Sequence, residues 1–258
     1  MDNSEIRKKM TKIVYFDEIG ATDYLTINGE LIEQIITELS ENQKNVEAGT
    51  NLKGWVKASI WPFVGGSVES NVKAGIEKNN SNIVKTTISN SLLSDFLEKR
   101  GKDIEELNNY YLKPYPNSIA FFKMFTPYLK MFSEGFTTDD GAPLDMHNMD
   151  AAFEYGKGYY EMIANPKVEE NNENKKILRF NINAFRNNYT IADLTKMDLT
   201  YYIVKVGRAN EDSLDISKEF NMGEKLISLD DLENGKSGDE GLLDVYDVIL
   251  AGVSINED

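Results

Sequence analysis

Apolar residues recur along this chain with two periods, one typical of strands and one typical of helices. Period-two alternation and short β-branched runs predict strands, and the predicted strands are residues 12–17, 177–182, 199–209 and 245–255. Spacings of three and four residues predict helices, and the predicted helices are residues 21–27, 31–39, 81–109 with an interruption at Gly101, 149–164 and 190–197. We expect the last strand to pair with the strand at 199–209.

Residues 54–76 alternate with period two on either side of a Pro/Gly-rich break at 62–66. This pattern predicts a β-hairpin. The alternative is a glycine-rich segment, residues 54–66, that touches a membrane through Trp55 and Trp61, because tryptophan favours the membrane interface.

The most apolar part of the chain is SIAFFKMFTPYLKMF, residues 118–132, which we expect to be buried core. Thr126 followed by Pro127 suits a helix N-cap and first helical position. The segment therefore predicts a strand up to Phe125 and a helix after it, with a kinked helix throughout as the alternative.

Helices and strands interleave irregularly, without the regular alternation that a βαβ series requires. We therefore expect an α+β fold, a mixed and mainly antiparallel sheet with helices packed on it and a hairpin near 54–76. We expect a single domain over 1–258, with a flexible N-terminus at 1–11 and exposed polar segments at 165–176 and 209–241.

Charge and composition narrow the function. The net charge is −15, from 43 acidic and 28 basic side chains, which disfavours nucleic-acid binding because that affinity comes from Lys and Arg. The sequence has no apolar run long enough to span a membrane, no secretory leader and no cysteine, so a cytoplasmic protein without disulfides is expected. One histidine and no phosphate-binding glycine motif leave carboxylate chemistry or none, and no cofactor is indicated.

Three carboxylates follow the first predicted strand: Asp17, Glu18 and Asp23. Metal-dependent phosphoester hydrolases hold Mg²⁺ through carboxylates at strand ends, so these residues are the catalytic candidates. The alternative is a helix start, where acids accept hydrogen bonds from free N–H groups and complement the dipole. Asp17 and Glu18 are adjacent and would point to opposite faces of a strand, which favours the helix start.

Two of the five arginines lie in LRFNINAFRNNY. Arginine presents a planar fork that suits carboxylate or phosphate, so Arg179, Arg186, Asn187 and the neighbouring Asn188 are candidates for binding a ligand or a partner's carboxylate. The alternative is an internal ion pair with the abundant acids of the chain.

The single histidine, His147, stands in an acidic loop with Asp139, Asp140, Asp145 and Asp150. Asp145 and His147 are the metal candidates because mixed carboxylate–imidazole sets suit Zn²⁺, Mn²⁺ or Fe²⁺, and an exposed histidine is the alternative. The aromatic residues of KGYYEM and FFKMF either line an apolar pocket or form core, and core is favoured.

Several stretches together resemble an uncharacterised bacterial family, one of the domains of unknown function. They are YFDE with DYL nearby, ISNSLLSDF, PNSIAFFKMFTPYL, KGYYE and ILRFNINAFRNNYTIADLTKMDLTYYIVKVG, spread from about residue 13 to 207. None has a known chemical role, so the resemblance implies a lineage without a catalytic residue, and the kind of family suggests a stress or defence operon.

The expected function is therefore a cytoplasmic, non-catalytic module that binds another macromolecule, a protein rather than nucleic acid. A metal-dependent phosphoester hydrolase using the N-terminal carboxylates is the alternative. The sequence does not indicate an oligomeric state.

Overall fold

The structure, a computed structural model, describes residues 8–27, 78–129, 136–137, 143–144, 157–168, 174–220 and 241–256. Their strands are β1 (Lys8–Phe16), β2 (Glu105–Leu107), β3 (Tyr110–Lys113), β4 (Phe136–Thr137), β5 (Pro143–Leu144), β6 (Tyr159–Pro166), β7 (Lys176–Asn181), β8 (Thr200–Asn210) and β9 (Leu242–Asn256). Their helices are α1 (Glu18–Ile27), α2 (Lys78–Lys99), α3 (Ile119–Leu129), α4 (Ile191–Leu194), a 3-10 turn (Glu211–Leu214) and α5 (Ile216–Phe220). The α+β class with a mostly antiparallel sheet is confirmed.

The chain forms two compact units. Met1–Tyr15 and Glu105–Asp258 make the larger unit, and Phe16–Ile104 make the smaller one. The prediction of a single domain stays a prediction.

The larger unit is built on one sheet whose strands follow the order β2-β8-β9-β7-β6-β3, with β1 also paired to β9. Neighbours along this order are antiparallel except β7 and β9, which run parallel. β9 pairs with β8 from Leu242 to Gly252 and with β7 from Asp244 to Asp247. The last strand of the chain is therefore central to the sheet, and its predicted pairing with the strand at 199–209 is confirmed.

The two faces of this sheet differ in chemistry because successive side chains point to opposite sides of a strand. One face carries the main core, whose fully buried members include Tyr15, Met162, Leu178, Phe180 and Ile203. The other face carries a small apolar cluster of Ile163, Ile177, Leu214 and Val245. Residues that alternate with the main core on β6, β7 and β9 are thus placed on this second face.

The smaller unit packs α1 against α2. The Phe96 ring is fully buried and lies 6.1 Å from the Tyr24 ring and 6.4 Å from the Phe16 ring. The Ser89 hydroxyl donates to Glu18 Oε1 at 2.8 Å, and the Gly101 N–H donates to the Tyr24 hydroxyl at 2.7 Å. Aromatic packing and two side-chain hydrogen bonds therefore hold the two helices together.

Three secondary-structure predictions are wrong. The part of the helix predicted at 81–109 that follows Gly101 contains β2 rather than a helix, because Glu105–Leu107 pairs with β8. Residues 159–164 belong to β6 rather than a helix, since alternate side chains there enter the main core. Residues 119–125 are helical rather than a strand, and α3 continues through Pro127, in agreement with the alternative of a helix throughout.

Of the segment 118–132, the described residues 118–129 are less buried than the sequence predicts. Ile119, Ala120 and Thr126 are buried, but Phe125 is 50% exposed and Tyr128 is 64% exposed. One side of α3 thus packs on the core, while Phe125 and Tyr128 remain exposed on the other.

Some sequence predictions lie outside the described residues: the helix at 31–39, the hairpin at 54–76 and both tryptophans. Among the helices that the structure describes, none is long and apolar enough to cross a membrane.

We predict opposite outcomes for removing two buried tyrosine hydroxyls. The Tyr15 hydroxyl accepts a hydrogen bond from the Asn181 N–H at 2.8 Å, so Tyr15→Phe leaves that donor without its acceptor and should cost about 1–3 kcal/mol. The Tyr201 hydroxyl is buried and has no hydrogen-bond partner in the described part of the chain, so Tyr201→Phe should leave stability unchanged or increased. Urea unfolding of both variants measures the difference, and equal losses would contradict it.

We further predict that Gly252 admits β1 beside β9. A Cβ at Gly252 would overlap the Lys12 carbonyl oxygen and stand 2.6 Å from the Met10 sulfur, so Gly252→Ala should cost roughly 1–3 kcal/mol by displacing β1. Gly207→Ala on β8 is the matched control, because no described residue except its chain neighbours has an atom within 4 Å of a Cβ placed there. Thermal unfolding of the two variants should separate them, and a stable Gly252→Ala protein would refute the prediction.

Candidate functional site

A row of charged residues crosses the second face of the sheet. Glu161 on β6 is opposite Arg179 on β7, which is opposite Asp247 on β9. Cross-strand partners on one face interact directly. The register therefore places a guanidinium between two carboxylates.

Arg179 is held in position from two directions. Its Nε lies 3.2 Å from Asp247 Oδ1, within ion-pair distance, and the centre of the guanidinium lies 4.7 Å from the centroid of the Tyr159 ring. Stacking on an aromatic face and an ion pair both restrict a guanidinium. The Arg179 side chain is thus oriented before any ligand arrives.

The Arg179 guanidinium is nevertheless poor in hydrogen bonds. In the described part of the chain, no hydrogen bond involves its side chain, although its Nε is buried. Asp247 Oδ1 is also buried and has no hydrogen bond among the described residues, so the contact between it and Arg179 Nε is an ion pair without hydrogen-bond alignment. A buried donor without an acceptor is uncommon in folded proteins, and here the one donor, the Nε–H, belongs to a guanidinium, a group suited to bind anions.

A pocket of about 270 Å³ opens beside Arg179. Its charged lining residues are Lys157, Glu161, Arg179 and Arg208. Its apolar lining residues include Ile177, Val206, Leu214 and Val245. Residues of β8 and of the 3-10 turn after it thus form one side of the pocket, next to Glu161 and Arg179.

The charges around the pocket are arranged in pairs. The Lys157 ammonium lies 2.7 Å from Glu161 Oε2. Asp244 Oδ1 lies 2.7 Å from the Lys205 ammonium and 3.1 Å from Arg208 Nε. These contacts with Lys205 and Arg208 hold the pKa of Asp244 below its ordinary value.

Asp247 behaves differently. Burial raises the pKa of the Asp247 carboxyl, the charge of Arg179 opposes this rise, and the nearby charge of Glu161 adds to it. Desolvation therefore outweighs the attraction of Arg179 at this carboxyl.

Arg186 and Asn187, grouped with Arg179 in the sequence, lie in the turn after β7. The Arg186 backbone N–H donates to the Val14 carbonyl at 2.9 Å, and the Asn187 side-chain amide donates to the Ile13 carbonyl at 3.2 Å. Asn187 and Asn188 have φ of 54° and 61°, a left-handed conformation that asparagine tolerates well. Arg186 and Asn187 thus anchor a turn to β1, whereas Arg179 lines the pocket.

Asp17 and Glu18 occupy the start of α1. Asp17 is buried, its Oδ1 accepts from the Gly20 N–H at 3.2 Å, and its carbonyl accepts from the Ala21 N–H at 2.9 Å. Glu18 Oε1 accepts a hydrogen bond from the Ser89 hydroxyl. Asp23 lies on the exposed side of α1, where partial burial raises the pKa of its carboxyl.

The described residues contain no group of three or more His, Asp or Glu side chains placed to hold a metal ion. Asp145 and His147, the metal candidates of the sequence, lie outside those residues together with Asp139, Asp140 and Asp150.

Comparison with known proteins assigns a lineage. Residues 10–254 match a family described as a domain of unknown function, DUF6414. The chain belongs to this family. The resemblance seen in the sequence is thus confirmed, while no curated protein and no solved structure gives a significant match.

Sequence reasoning named Arg179 as a candidate, which lines the pocket, but missed Glu161 and Asp247, its neighbours across the sheet. The sequence pattern that could have identified them is a single charged residue at the centre of an otherwise apolar strand, as in YYEMIA and VYDVIL. A charge that alternates with core residues must lie on the opposite face, but only strand order shows that the three charges are neighbours.

We predict that Asp17 acts as a helix cap. Asp17→Ala should cost at least about 0.5–2 kcal/mol, while Asp17→Asn should cost little because asparagine caps equally well. Thermal unfolding of the wild type and both variants, with and without Mg²⁺, checks this. Stabilisation of the wild type by Mg²⁺ that disappears in Asp17→Asn would instead indicate a metal ligand.

Proposed function

We propose that this chain is a cytoplasmic, non-catalytic module that binds another protein, and that an anionic group of the partner binds at Arg179. The observation that carries the proposal is the Arg179 guanidinium, which lines a pocket and makes no hydrogen bond in the described part of the chain. A guanidinium is a strong donor to carboxylate and phosphate groups.

The restraint of the Arg179 side chain by its neighbours supports binding. Asp247 and the Tyr159 ring restrain Arg179 before a partner arrives, and a restrained side chain loses less conformational entropy on binding. Arginine is also enriched among the residues that dominate protein–protein interfaces.

The surroundings of the N-terminal carboxylates support a non-catalytic role. Asp17 caps α1 and Glu18 accepts a hydrogen bond from Ser89, so both act in local structure. The net charge of −15 disfavours a nucleic acid as the partner, since a duplex would meet a strongly negative chain.

We predict that Arg179→Met abolishes retention of the partner. The tagged full-length chain is expressed in its native host, cross-linked and purified, and bound proteins are identified by mass spectrometry. The partner is then purified, and its Kd is measured for the wild type and for each variant. We expect a loss of at least about tenfold in affinity, the effect of removing a charge-assisted contact.

Lys175→Met is the matched control. This substitution removes the ion pair between the Lys175 ammonium and Glu211 Oε2, which lie 3.5 Å apart. Because Lys175 is not among the residues that line the pocket, the partner should be retained. Equal affinity of wild type and Arg179→Met, with both proteins folded by thermal unfolding, would overturn the proposed function.

A further inference from the structure

We infer that the anionic group bound at Arg179 is a carboxylate carried on an aliphatic stem, and not a phosphate. This inference rests on the proposed function and specifies the chemistry of the same pocket. It draws on the shape of the guanidinium, the charges around it and the apolar wall beside it.

The orientation of Arg179 leaves its terminal nitrogens for the ligand. Asp247 lies at the Nε side, 3.2 Å away, and the Tyr159 ring covers one flat face. The two Nη groups remain, and none of the described residues accepts a hydrogen bond from them. A pair of parallel N–H groups matches the two oxygens of a carboxylate.

The charges around Arg179 favour a monoanion. The ion pairs described above bring together four cations (Lys157, Arg179, Lys205 and Arg208) and three carboxylates (Glu161, Asp244 and Asp247), which leaves a surplus of one positive charge. A phosphate monoester carries about −1.5 to −2 charges at neutral pH, so it exceeds this surplus, whereas a singly charged carboxylate matches it.

The apolar wall explains the stem. Val206 lines the pocket and is 47% exposed, whereas Ile177, Leu214 and Val245 line it from the second apolar cluster and are already buried. Methylene groups of a ligand placed against Val206 would remove apolar surface from water, worth about 25 cal/mol per Å². A bare inorganic anion gains nothing from such a wall.

The size of the pocket limits the ligand to one residue of a partner. Its volume of about 270 Å³ is below the roughly 300–1,000 Å³ of clefts that enclose drug-sized ligands. Two sources of a carboxylate on an aliphatic stem fit, a glutamate side chain and the C-terminus of a chain that ends in an aliphatic residue.

The wild-type protein can report this contact directly by NMR. The chain has only five arginines, so their Nε–Hε signals are few, and the spectrum of Arg179→Lys assigns the signal of Arg179. Four probes are titrated: an acetylated peptide amide with one glutamate, an acetylated peptide with a free C-terminal leucine, a phosphoserine peptide and inorganic phosphate. The titration uses the wild type, so it does not depend on whether a variant folds.

We expect at least one carboxylate peptide to shift the Arg179 signal saturably, and whichever peptide does so identifies the source. Both phosphate probes should bind at least about tenfold more weakly, because the phosphate carries more negative charge than the site can balance and neither probe places a longer aliphatic stem against Val206. Val206→Ser should weaken the carboxylate peptide more than it weakens acetate, which has no stem. Lys175→Met, outside the pocket, should leave every titration unchanged.

Two outcomes would overturn the inference. Phosphate probes that bind as tightly as the carboxylate peptides would show a general anion site, and absence of any shift at Arg179 would show that it does not bind these carboxylates. The proposed function fails separately, when the purified partner binds wild type and Arg179→Met equally.

Discussion

The pairing of β9 with three other strands is the constraint on which the larger unit depends. β9 is hydrogen-bonded to β8 along most of its length, to β7 in parallel and to β1. The Thr11 hydroxyl donates to the Val253 carbonyl at 3.1 Å, across 242 positions of sequence. Because the central strand comes last, the sheet depends on contacts of very high sequence separation, which cost loop-closure entropy before they stabilise anything.

The same pairing creates the site. Strand order places β9 between β7 and β8, so Asp247 becomes the neighbour of Arg179. On one face the strands enclose the main core, and on the other they leave a charged row beside a small apolar cluster. A guanidinium in such a row is held by its neighbours at little entropic cost, which suits a binding site better than a flexible surface arginine would.

Part of this arrangement followed from the sequence, and part did not. Arg179 was predicted as a binding residue because arginine is scarce in this chain and its chemistry is specific. Arg186 and Asn187 were grouped with it by proximity in sequence. The Arg186 backbone N–H and the Asn187 side-chain amide hydrogen-bond to β1, and their role in binding stays a prediction. Asp17 shows the converse, since a cap uses contacts within four residues, and local sequence predicts it well.

The sequence by itself determined the α+β class, the strands at the C-terminal end and the pairing of the last two predicted strands, because period-two alternation is a local signal. It also determined the acidic balance and the family. Only the tertiary structure decided that residues 105–107 and 159–164 are strands, since their partners lie far away in sequence and outweigh weak local preferences. It alone decided that Glu161, Arg179 and Asp247 form one row, because strand order is set by long-range packing and not by the residues of any single strand.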